Sequence, residues 1–398
     1  MRMTMIFSTI GLVGCVSGSS DEPLDDSGLF TTGAPLTCDE VDRTQAGQVV
    51  ERAPEMTMSG VYRISERFIL DGDEVVTIEP GTVFLVEPDV DIFWGWRNDP
   101  VKVTINGTAD APVLFCGTNP GPGSWTGIQL LGGLSTDSRF THVRVEDAGQ
   151  NDLAALYLEN AHDLVSVALV GNAAVGLEAW SLGDGSSQIT ATDNEWPAHL
   201  HSGAAISNLP EGDYAGNDDD AILVSGQGGE TVTYHNRGVP YRQLDDRVIY
   251  GSADGADQVV TFAPGVEYQF CQHCTLYTGW RGDPTTVVAV GTPDEPIVFT
   301  SADPSPSPGD WNGILWLTGT DSASRLQHAR LEYGGKAELG SNGDANLVIS
   351  GGLGQLDNVT FASSGGYGLS LYQEEPGFVL GTSLSFEGNL SGDINDLD

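Results

Sequence analysis

Basic residues are scarce in this chain of 398 residues, in which 16 Lys and Arg side chains stand against 56 Asp and Glu. Only Lys102 and Lys336 are lysines, and the formal net charge is −40. Phosphate backbones and anionic lipid headgroups repel a chain with this charge. We therefore expect no nucleic-acid partner and no electrostatic docking on a membrane. The acidic surface instead suits solubility and divalent-cation binding.

Helical patterns and long apolar runs are nearly missing as well. Only residues 39–53 show a weak helical spacing of apolar positions, and no run is long enough to span a bilayer. The motifs G-x-S-x-G and H-E-x-x-H, the P-loop and the Gly-rich calcium nonapeptide do not occur. Hydrophobic residues still make up 39% of the chain, which is enough for a sizeable core.

The first 36 residues have the pattern of an export signal followed by a tether. Arg2 precedes a short apolar stretch within residues 1–14, as in a secretory signal. That stretch ends in Leu12-Val13-Gly14-Cys15, which resembles the lipobox of bacterial lipoproteins. The resemblance implies that the signal is removed and Cys15 acylated; the alternative is an ordinary signal with a chance cysteine. Residues 15–36 lack periodicity and are predicted to be a flexible tether, so contact with the membrane would be through the lipid only.

Four cysteines remain once Cys15 is set aside, and disulfides are the expected state in an oxidising envelope. Cys271-Gln-His-Cys274 is a C-x2-C pair, for which a zinc site, a redox pair and a local disulfide are the alternatives. Zinc usually needs a second pair at similar spacing, and a thioredoxin-like pair needs a βαβ context; the sequence has neither. A Cys271–Cys274 disulfide is therefore favoured, and it leaves Cys38 to pair with Cys116.

The chain contains two copies of one long pattern, offset first by 184 and then by 186 residues. The matched stretches are 77–81 with 261–265, 95–100 with 279–284, 106–115 with 290–299, 122–128 with 308–314, and 138–146 with 324–332. A weaker match continues to Asn194 and Asn389. We assign repeat 1 to residues 48–225 and repeat 2 to 226–398, with residues 37–60 as an N-terminal cap.

Each copy has a finer rhythm of short apolar runs bounded by Gly, Asn, Asp or Pro, which are signals for strands and turns. The 52 glycines fit a chain with many tight turns. The runs lack strict alternation, which favours parallel sheets. A repeat of 184 residues is too long for a propeller blade of about 40 to 45 residues. The pattern predicts an all-β solenoid, a parallel β-helix.

Three of the repeated motifs also resemble those of a known group of proteins. They are Ile-x-Pro-Gly at 78–81, Gly-Thr-x-Asp-x-Pro at 107–112 and 291–296, and Pro-Gly-x-Trp-x-Gly-Ile at 122–128 and 308–314. Together they resemble the right-handed parallel β-helix surface lipoproteins of Gram-negative bacteria, which share the pectin-lyase-like fold. The resemblance covers 48–398 and implies a right-handed β-helix in the cell envelope, at the outer membrane or cell surface. It implies almost nothing about activity.

Two turns combine an aromatic ring with a cation. Trp96-Arg97 and Trp280-Arg281 occupy matching places in the two copies. If these rings are exposed, they can stack on sugars; if buried, they fill a corner between neighbouring strands. Both turns are candidate ligand-binding positions.

A second candidate set combines an imidazole, a guanidinium and a carboxylate. Its members have i, i+2, i+4 spacing, which places them on one face of a regular strand. They are His142, Arg144 and Glu146 in the first copy and His328, Arg330 and Glu332 in the second. Such a face could bind a sugar acid or act as an acid–base set. Its presence in both copies favours a structural polar ladder, because a catalytic site is seldom duplicated intact.

Acidic clusters and one histidine pair are the candidate metal ligands. Calcium is the one candidate cofactor, through weak binding by carboxylates. The carboxylates are Asp71 and Asp73 in one cluster and Asp218, Asp219 and Asp220 in the other. The alternative for the second cluster is a solvated turn. His199 and His201 could chelate a metal, but the sequence places no third ligand near them.

These patterns favour a non-catalytic, lipid-anchored surface protein that binds a glycan, an envelope component or another surface protein. One alternative is a polysaccharide-active enzyme, a lyase or glycoside hydrolase, and another is a scaffold for a surface protein complex. An enzyme requires clustered carboxylates in a single copy. A binder requires exposed aromatic rings along one face.

Overall fold

The computed structural model describes residues 34–226, 229–250, 256–336, 344–372, 378–381 and 383–397. The predicted signal, Cys15 and nearly all of the tether lie outside the described residues. Strands account for 47% of the protein and helices for 5%, so the predicted all-β class is confirmed. No helix in the described ranges is both long and apolar enough to cross a membrane.

Thirty-three short strands follow one another along the described chain, with one α-helix and four 3-10 segments between them. In the first half the strands are β1 Glu55–Met58, β2 Val61–Ile64, β3 Phe68–Leu70, β4 Glu74–Ile78, β5 Val83–Val86, β6 Asp91–Trp94, β7 Val101–Asn106, β8 Val113–Gly117, β9 Gly127–Leu130, β10 Arg139–Glu146, β11 Leu156–Leu158, β12 Leu164–Val170, β13 Val175–Ala179, β14 Ser187–Thr192, β15 Trp196–Leu200, β16 Gly212–Asp213 and β17 Ile222–Val224.

In the second half the strands are β18 Val232–Tyr234, β19 Tyr241–Gln243, β20 Arg247–Tyr250, β21 Gln258–Phe262, β22 Glu267–Phe270, β23 Thr275–Thr278, β24 Thr285–Val290, β25 Ile297–Ser301, β26 Gly313–Leu317, β27 Arg325–Glu332, β28 Ala345–Ser350, β29 Gln355–Ala362, β30 Tyr367–Tyr372, β31 Val379–Leu380, β32 Leu384–Glu387 and β33 Gly392–Leu397. The helix α1 is Gly203–Asn208, and the 3-10 segments are Cys38–Glu40, Trp96–Asn98, Gln150–Asp152 and Trp280–Gly282.

Pairing between the described strands is parallel, and each strand pairs with one that follows it by two or more places in the chain. The first half forms three runs. They are β1–β4–β7–β10–β12–β14–β16, then β2–β5–β8–β10, and then β3–β6–β9–β11–β13–β15–β17. The apolar runs without strict alternation therefore form parallel sheets, as predicted.

The second half repeats this arrangement, but the runs change partners where the halves meet. Strand β17 ends the third run of the first half and pairs with β19, which pairs with β22 in the second run of the second half. The third run of the second half starts afresh at β20 and continues through β23, β26, β28, β30 and β33. Helix α1 lies at this junction, and its N-cap Ser202 accepts a hydrogen bond from the Ala205 N–H.

The repeated Pro-Gly-x-Trp-x-Gly-Ile motif has the same structural role in both halves. The indole N–H groups of Trp125 and Trp311 donate to the carbonyl oxygens of Glu146 and Glu332, each at 2.9 Å. Both rings are fully buried, and the Trp311 ring stacks on Phe270 with centroids 3.8 Å apart. The glycine after each Trp has a positive φ, and a Cβ there would meet a backbone carbonyl of the next strand.

Strand β10 bends at His142, and β27 bends at the matching His328. Their φ angles are +48° and +46°. Residues 139–141 of β10 pair with β7, whereas residues 143–145 pair with β8. The bend interrupts the alternation of side chains, so the prediction that one regular strand face carries residues 142, 144 and 146 is wrong at His142.

Asparagine side chains form a buried ladder at the turns after β12 and β14. The Asn172 side-chain NH2 donates to Asn194 Oδ1 at 2.9 Å, and the Asn194 NH2 donates to Asn217 Oδ1 at 3.2 Å and to the Leu169 carbonyl at 3.0 Å. Asn172 and Asn194 are each only 2% exposed. The ladder satisfies backbone groups of neighbouring strands that would otherwise be buried without partners.

Both expected disulfides are present in the structure. Cys38–Cys116 ties the first 3-10 segment to β8 across a separation of 78 residues, and Cys271–Cys274 closes a local loop. Cys38 also donates its N–H to the Glu146 carboxylate at 3.2 Å. The boundaries of the predicted repeats and of the cap at 37–60 stay predictions.

His162 is buried between strands, and its two ring nitrogens have no hydrogen-bond partner among the described residues. Burial lowers its pKa from about 6.5 to about 4. The unfolded chain therefore binds a proton below pH 6.5 that the folded chain refuses. The stability associated with neutral His162 is complete above pH 6.5 and is lost as the pH falls towards 4.

We expect the variant His162→Leu to lose much of this sensitivity to acid. Wild-type stability should fall by roughly 3 kcal/mol more than that of the variant between pH 7 and pH 4. Urea unfolding at both pH values measures the difference, and carboxylate titrations are common to the two proteins. Equal losses in wild type and variant would show that His162 is not held neutral by burial.

Candidate functional site

A patch of polar and aromatic side chains lies at the ends of β13, β15 and β17. The register pairs Glu178 with His199. Just past the strand ends, the N–H groups of Trp180, His201 and Ser225 donate to carbonyls of the preceding strands in the run. Successive strands in a sheet are about 4.8 Å apart, so these five side chains stack on one another. We call them the imidazole patch.

Hydrogen bonds connect the polar groups of the imidazole patch in a single chain. His201 Nε2 lies 2.9 Å from Glu178 Oε1. The other ring nitrogen, Nδ1, lies 2.9 Å from Ser225 Oγ, and the same hydroxyl lies 2.8 Å from His199 Nε2. Each contact is within ordinary hydrogen-bond distance.

Donor and acceptor chemistry gives this chain one direction when both imidazoles are neutral. An ionised Glu178 can only accept, so His201 carries its proton on Nε2. His201 Nδ1 then accepts from the Ser225 hydroxyl, whose oxygen accepts from His199 Nε2–H. This assignment of tautomers follows from the network and places every proton between two partners.

The environment keeps the patch in this protonation state at neutral pH. Burial, followed by the neighbouring His201, lowers the pKa of His199 to about 4. The hydrogen bond from His201 lowers the pKa of Glu178. The patch therefore presents a neutral imidazole and a carboxylate in the physiological range.

Trp180 supplies an exposed aromatic surface beside these groups. Its side chain is 49% exposed, although its ring is large and apolar. The ring lies parallel to His201, with centroids 4.6 Å apart and planes 13° apart. His201 is in turn held by Glu178 and Ser225, so one face of Trp180 is fixed and the other is open to a ligand.

The imidazole patch belongs to the first repeat alone. In the second repeat, β30 pairs with β33 as β13 pairs with β15, and Ser370 faces Asn395 where Glu178 faces His199. The position that matches Trp180 is Tyr372. Neither imidazole has a counterpart. A side-chain ladder needed only for the fold would be expected in both copies, so the patch points to a function.

The two Trp-Arg turns are half-buried corners. Arg97 lies 6.0 Å from the centroid of the Trp96 ring, and that ring packs on Phe93 at 4.7 Å. Trp280 packs edge-on against Tyr277 at 5.1 Å. Both arginines have positive φ angles, near 60°. The rings are mainly used within the fold, while Arg97 remains exposed.

The Arg and Glu members of the second candidate set pair with each other. Arg144 forms an ion pair with Glu146, and Arg330 forms one with Glu332. The Glu332 carboxylate also accepts a hydrogen bond from the Thr300 hydroxyl at 3.1 Å. These carboxylates hold neighbouring elements together, which supports the interpretation as a structural ladder.

The candidate calcium ligands are also engaged by neighbours. Asp71 pairs with Arg52 at 2.6 Å, and Asp219 pairs with Arg242. Asp220 accepts a hydrogen bond from the Asn217 N–H at 2.7 Å. Asp73 and Asp218 donate their backbone N–H groups to the carbonyls of Pro100 and Asn194. Calcium at either cluster stays an untested prediction.

The third ligand that the sequence could not provide for His199 and His201 comes from the preceding strand. Within the described ranges, Glu178, His199 and His201 form a group whose ligand atoms all lie within 4.8 Å of one another. Sequence reasoning missed Glu178, Trp180 and Ser225. The available signal was the strand spacing, because Glu178 and Trp180 each precede a histidine by 21 residues.

Comparison with protein-family models, with curated proteins and with solved structures finds no match for this chain. What the imidazole patch can bind therefore follows from its own chemistry.

Proposed function

We propose that this protein is a non-catalytic, lipid-anchored surface protein that binds a glycan of the cell envelope through the imidazole patch. The observation that carries the proposal is the exposed face of Trp180, fixed from behind by His201. A flat aromatic ring with nearby hydrogen-bonding groups suits a sugar, which has apolar C–H faces and a rim of hydroxyl groups.

The groups around Trp180 match the rim of a sugar ring. Glu178 offers carboxylate oxygens, and Tyr157 lies in register beside it, one strand earlier. The Glu178 side chain is 29% exposed, so it can reach a ligand while it holds His201. Because the network is already formed, little side-chain entropy is lost on binding.

The fold that we propose for this role is a right-handed parallel β-helix. Long runs of parallel strands, with each strand paired to one that follows in the chain, support it. Such a framework presents stacked side chains on a flat, repeating surface. The repeated motifs resemble those of Gram-negative surface lipoproteins, and we extend that likeness to an outer-membrane or cell-surface location with the lipid on Cys15.

A hydrolytic enzyme is the second candidate, and one observation favours it. Ser225, His201 and Glu178 stand in the order nucleophile, base and carboxylate, at 2.9 Å each. The Ser225 hydroxyl also contacts His199. This arrangement would suit an ester-bearing glycan, and hydrolysis would release an acid.

A glycan and polysaccharide screen tests the proposal and separates the candidates. The soluble protein from residue 37 is screened with and without Ca²⁺, and both binding and released products are recorded. We expect saturable binding of at least one glycan without product. Released acid, new reducing ends or unsaturated sugars would overturn the non-catalytic assignment, and silence in both channels would overturn glycan binding.

A further inference from the structure

We propose that Glu178, His199 and His201 form a zinc site on the surface of the first repeat. This goes beyond the glycan proposal and does not depend on it. Two imidazoles and one carboxylate are ligands that Zn²⁺ commonly takes, and three protein ligands leave a fourth position for water or another donor. The three side chains offer ligand atoms within 4.8 Å of one another.

The choice of zinc over calcium follows from the donor atoms. Calcium takes six to eight oxygen ligands and has little use for imidazole nitrogen. A set with two nitrogens and one oxygen suits borderline ions such as Zn²⁺. Among these ions, zinc is the one to which we commit.

Ser225 is placed to orient the His201 ring in such a site. His201 Nε2 faces the Glu178 carboxylate, while Nδ1 lies 2.9 Å from Ser225 Oγ. When zinc replaces the proton on Nε2, that proton is released, and the imidazole carries its remaining proton on Nδ1. Nδ1–H then donates to the Ser225 oxygen. Metal-bound histidines commonly donate their second N–H in this way.

The surroundings favour the metal-binding form of these groups. The low pKa values of His199 and Glu178 leave both side chains deprotonated at neutral pH, as ligation requires. His201 is also partly shielded by the stacked Trp180 ring. The net charge of −40 raises the local concentration of divalent cations.

The second repeat provides an internal comparison. Its matching positions hold Ser370 and Asn395, which meet through a hydrogen bond of 3.3 Å between Asn395 Nδ2 and Ser370 Oγ. Hydroxyl and amide groups are poor zinc ligands. The framework therefore stacks polar groups at this place in both repeats, whereas only the first carries a zinc-binding set.

The test is a titration of chelator-treated protein from residue 37 with zinc alone, by calorimetry, and with Co²⁺ followed by its visible absorption. We expect one zinc per chain and a Co²⁺ spectrum of tetrahedral type. The variants Glu178→Gln and His199→Gln should each weaken zinc binding at least about 100-fold, more than the loss of an outer-shell partner, which costs about 10- to 100-fold.

A matched control and a second variant keep the outcome decisive. His235→Asn changes a half-buried histidine outside the imidazole patch and should leave zinc affinity within about threefold. Glu178→Gln keeps the size of the side chain, so it decides the matter if His199→Gln fails to fold. The proposal is overturned by a wild type that binds no zinc saturably, by binding that Glu178→Gln leaves unchanged, or by an equal loss in His235→Asn.

Discussion

Replacing Cys38 and Cys116 together by alanine is expected to lower the free energy of unfolding by about 4.5 kcal/mol. The disulfide spans 78 residues, and closing a loop of that length restricts the unfolded chain strongly. Both cysteines are fully buried in a small cluster with Val83, Leu85 and Leu114, so cavities add to the loss. The first 3-10 segment also loses its covalent link to β8.

The second disulfide is the matched control for this prediction. Cys271–Cys274 spans only three residues, for which the same relation gives about 1.6 kcal/mol. Urea unfolding of both double variants, starting from residue 37 under oxidising conditions, compares the two losses. Similar losses would show that loop length does not govern the stability these bonds contribute.

The variant Asn194→Ala is expected to lower the free energy of unfolding by about 4 kcal/mol. The change removes the acceptor for the Asn172 N–H and side-chain NH2 groups and the donor to the Leu169 carbonyl. These groups are buried, and each buried group left without a partner costs about 1 to 3 kcal/mol. The loss should reach the strands on both sides, because the ladder connects three successive turns.

Asn160→Ala is the control for the asparagine ladder. Asn160 is exposed and donates one hydrogen bond of 3.2 Å to the Gly132 carbonyl. Water can replace that bond, so we expect a loss of about 0.5 kcal/mol. Thermal unfolding of the two variants beside wild type makes the comparison. A loss at Asn194 no larger than at Asn160 would rule out the ladder as a major source of stability.

The sequence predicts the framework well because the framework is repeated. Trp125 and Trp311 recur with their flanking glycines, and the structure gives both the same hydrogen bond to the same carbonyl position. Strand signals of this kind depend on local residues, namely apolar runs bounded by turn formers. They therefore survive without knowledge of the tertiary structure.

Two features of the framework could not be predicted in the same way. The bend at His142 arises because β10 switches from β7 to β8 as its partner, and no residue type marks that switch. The junction at which β17 pairs with β19 depends on the lengths of the connections between residues 200 and 250. Both are decided by contacts between distant segments.

The imidazole patch was only half visible in the sequence. His199 and His201 are two residues apart, but their partners lie 21 and 24 residues away from His201, at Glu178 before the patch and beyond it at Ser225. Sequence separations translate into contacts only once the register of the strands is known. Glu178 lies 23 residues from His201 and 21 from His199, and β13–β15 pairing supplies that register.

The most direct test of the proposed function compares the two repeats at one position. Glycan affinity is measured for the best glycan of the screen with wild type, Trp180→Ala and Tyr372→Ala. Tyr372 matches Trp180 in the second repeat, where the imidazoles are missing. We expect Trp180→Ala to weaken binding at least about 30-fold, as for a central aromatic contact, and Tyr372→Ala to leave it within about twofold. Unchanged binding in Trp180→Ala, or an equal loss in both variants, would contradict the assignment of the imidazole patch as the glycan site.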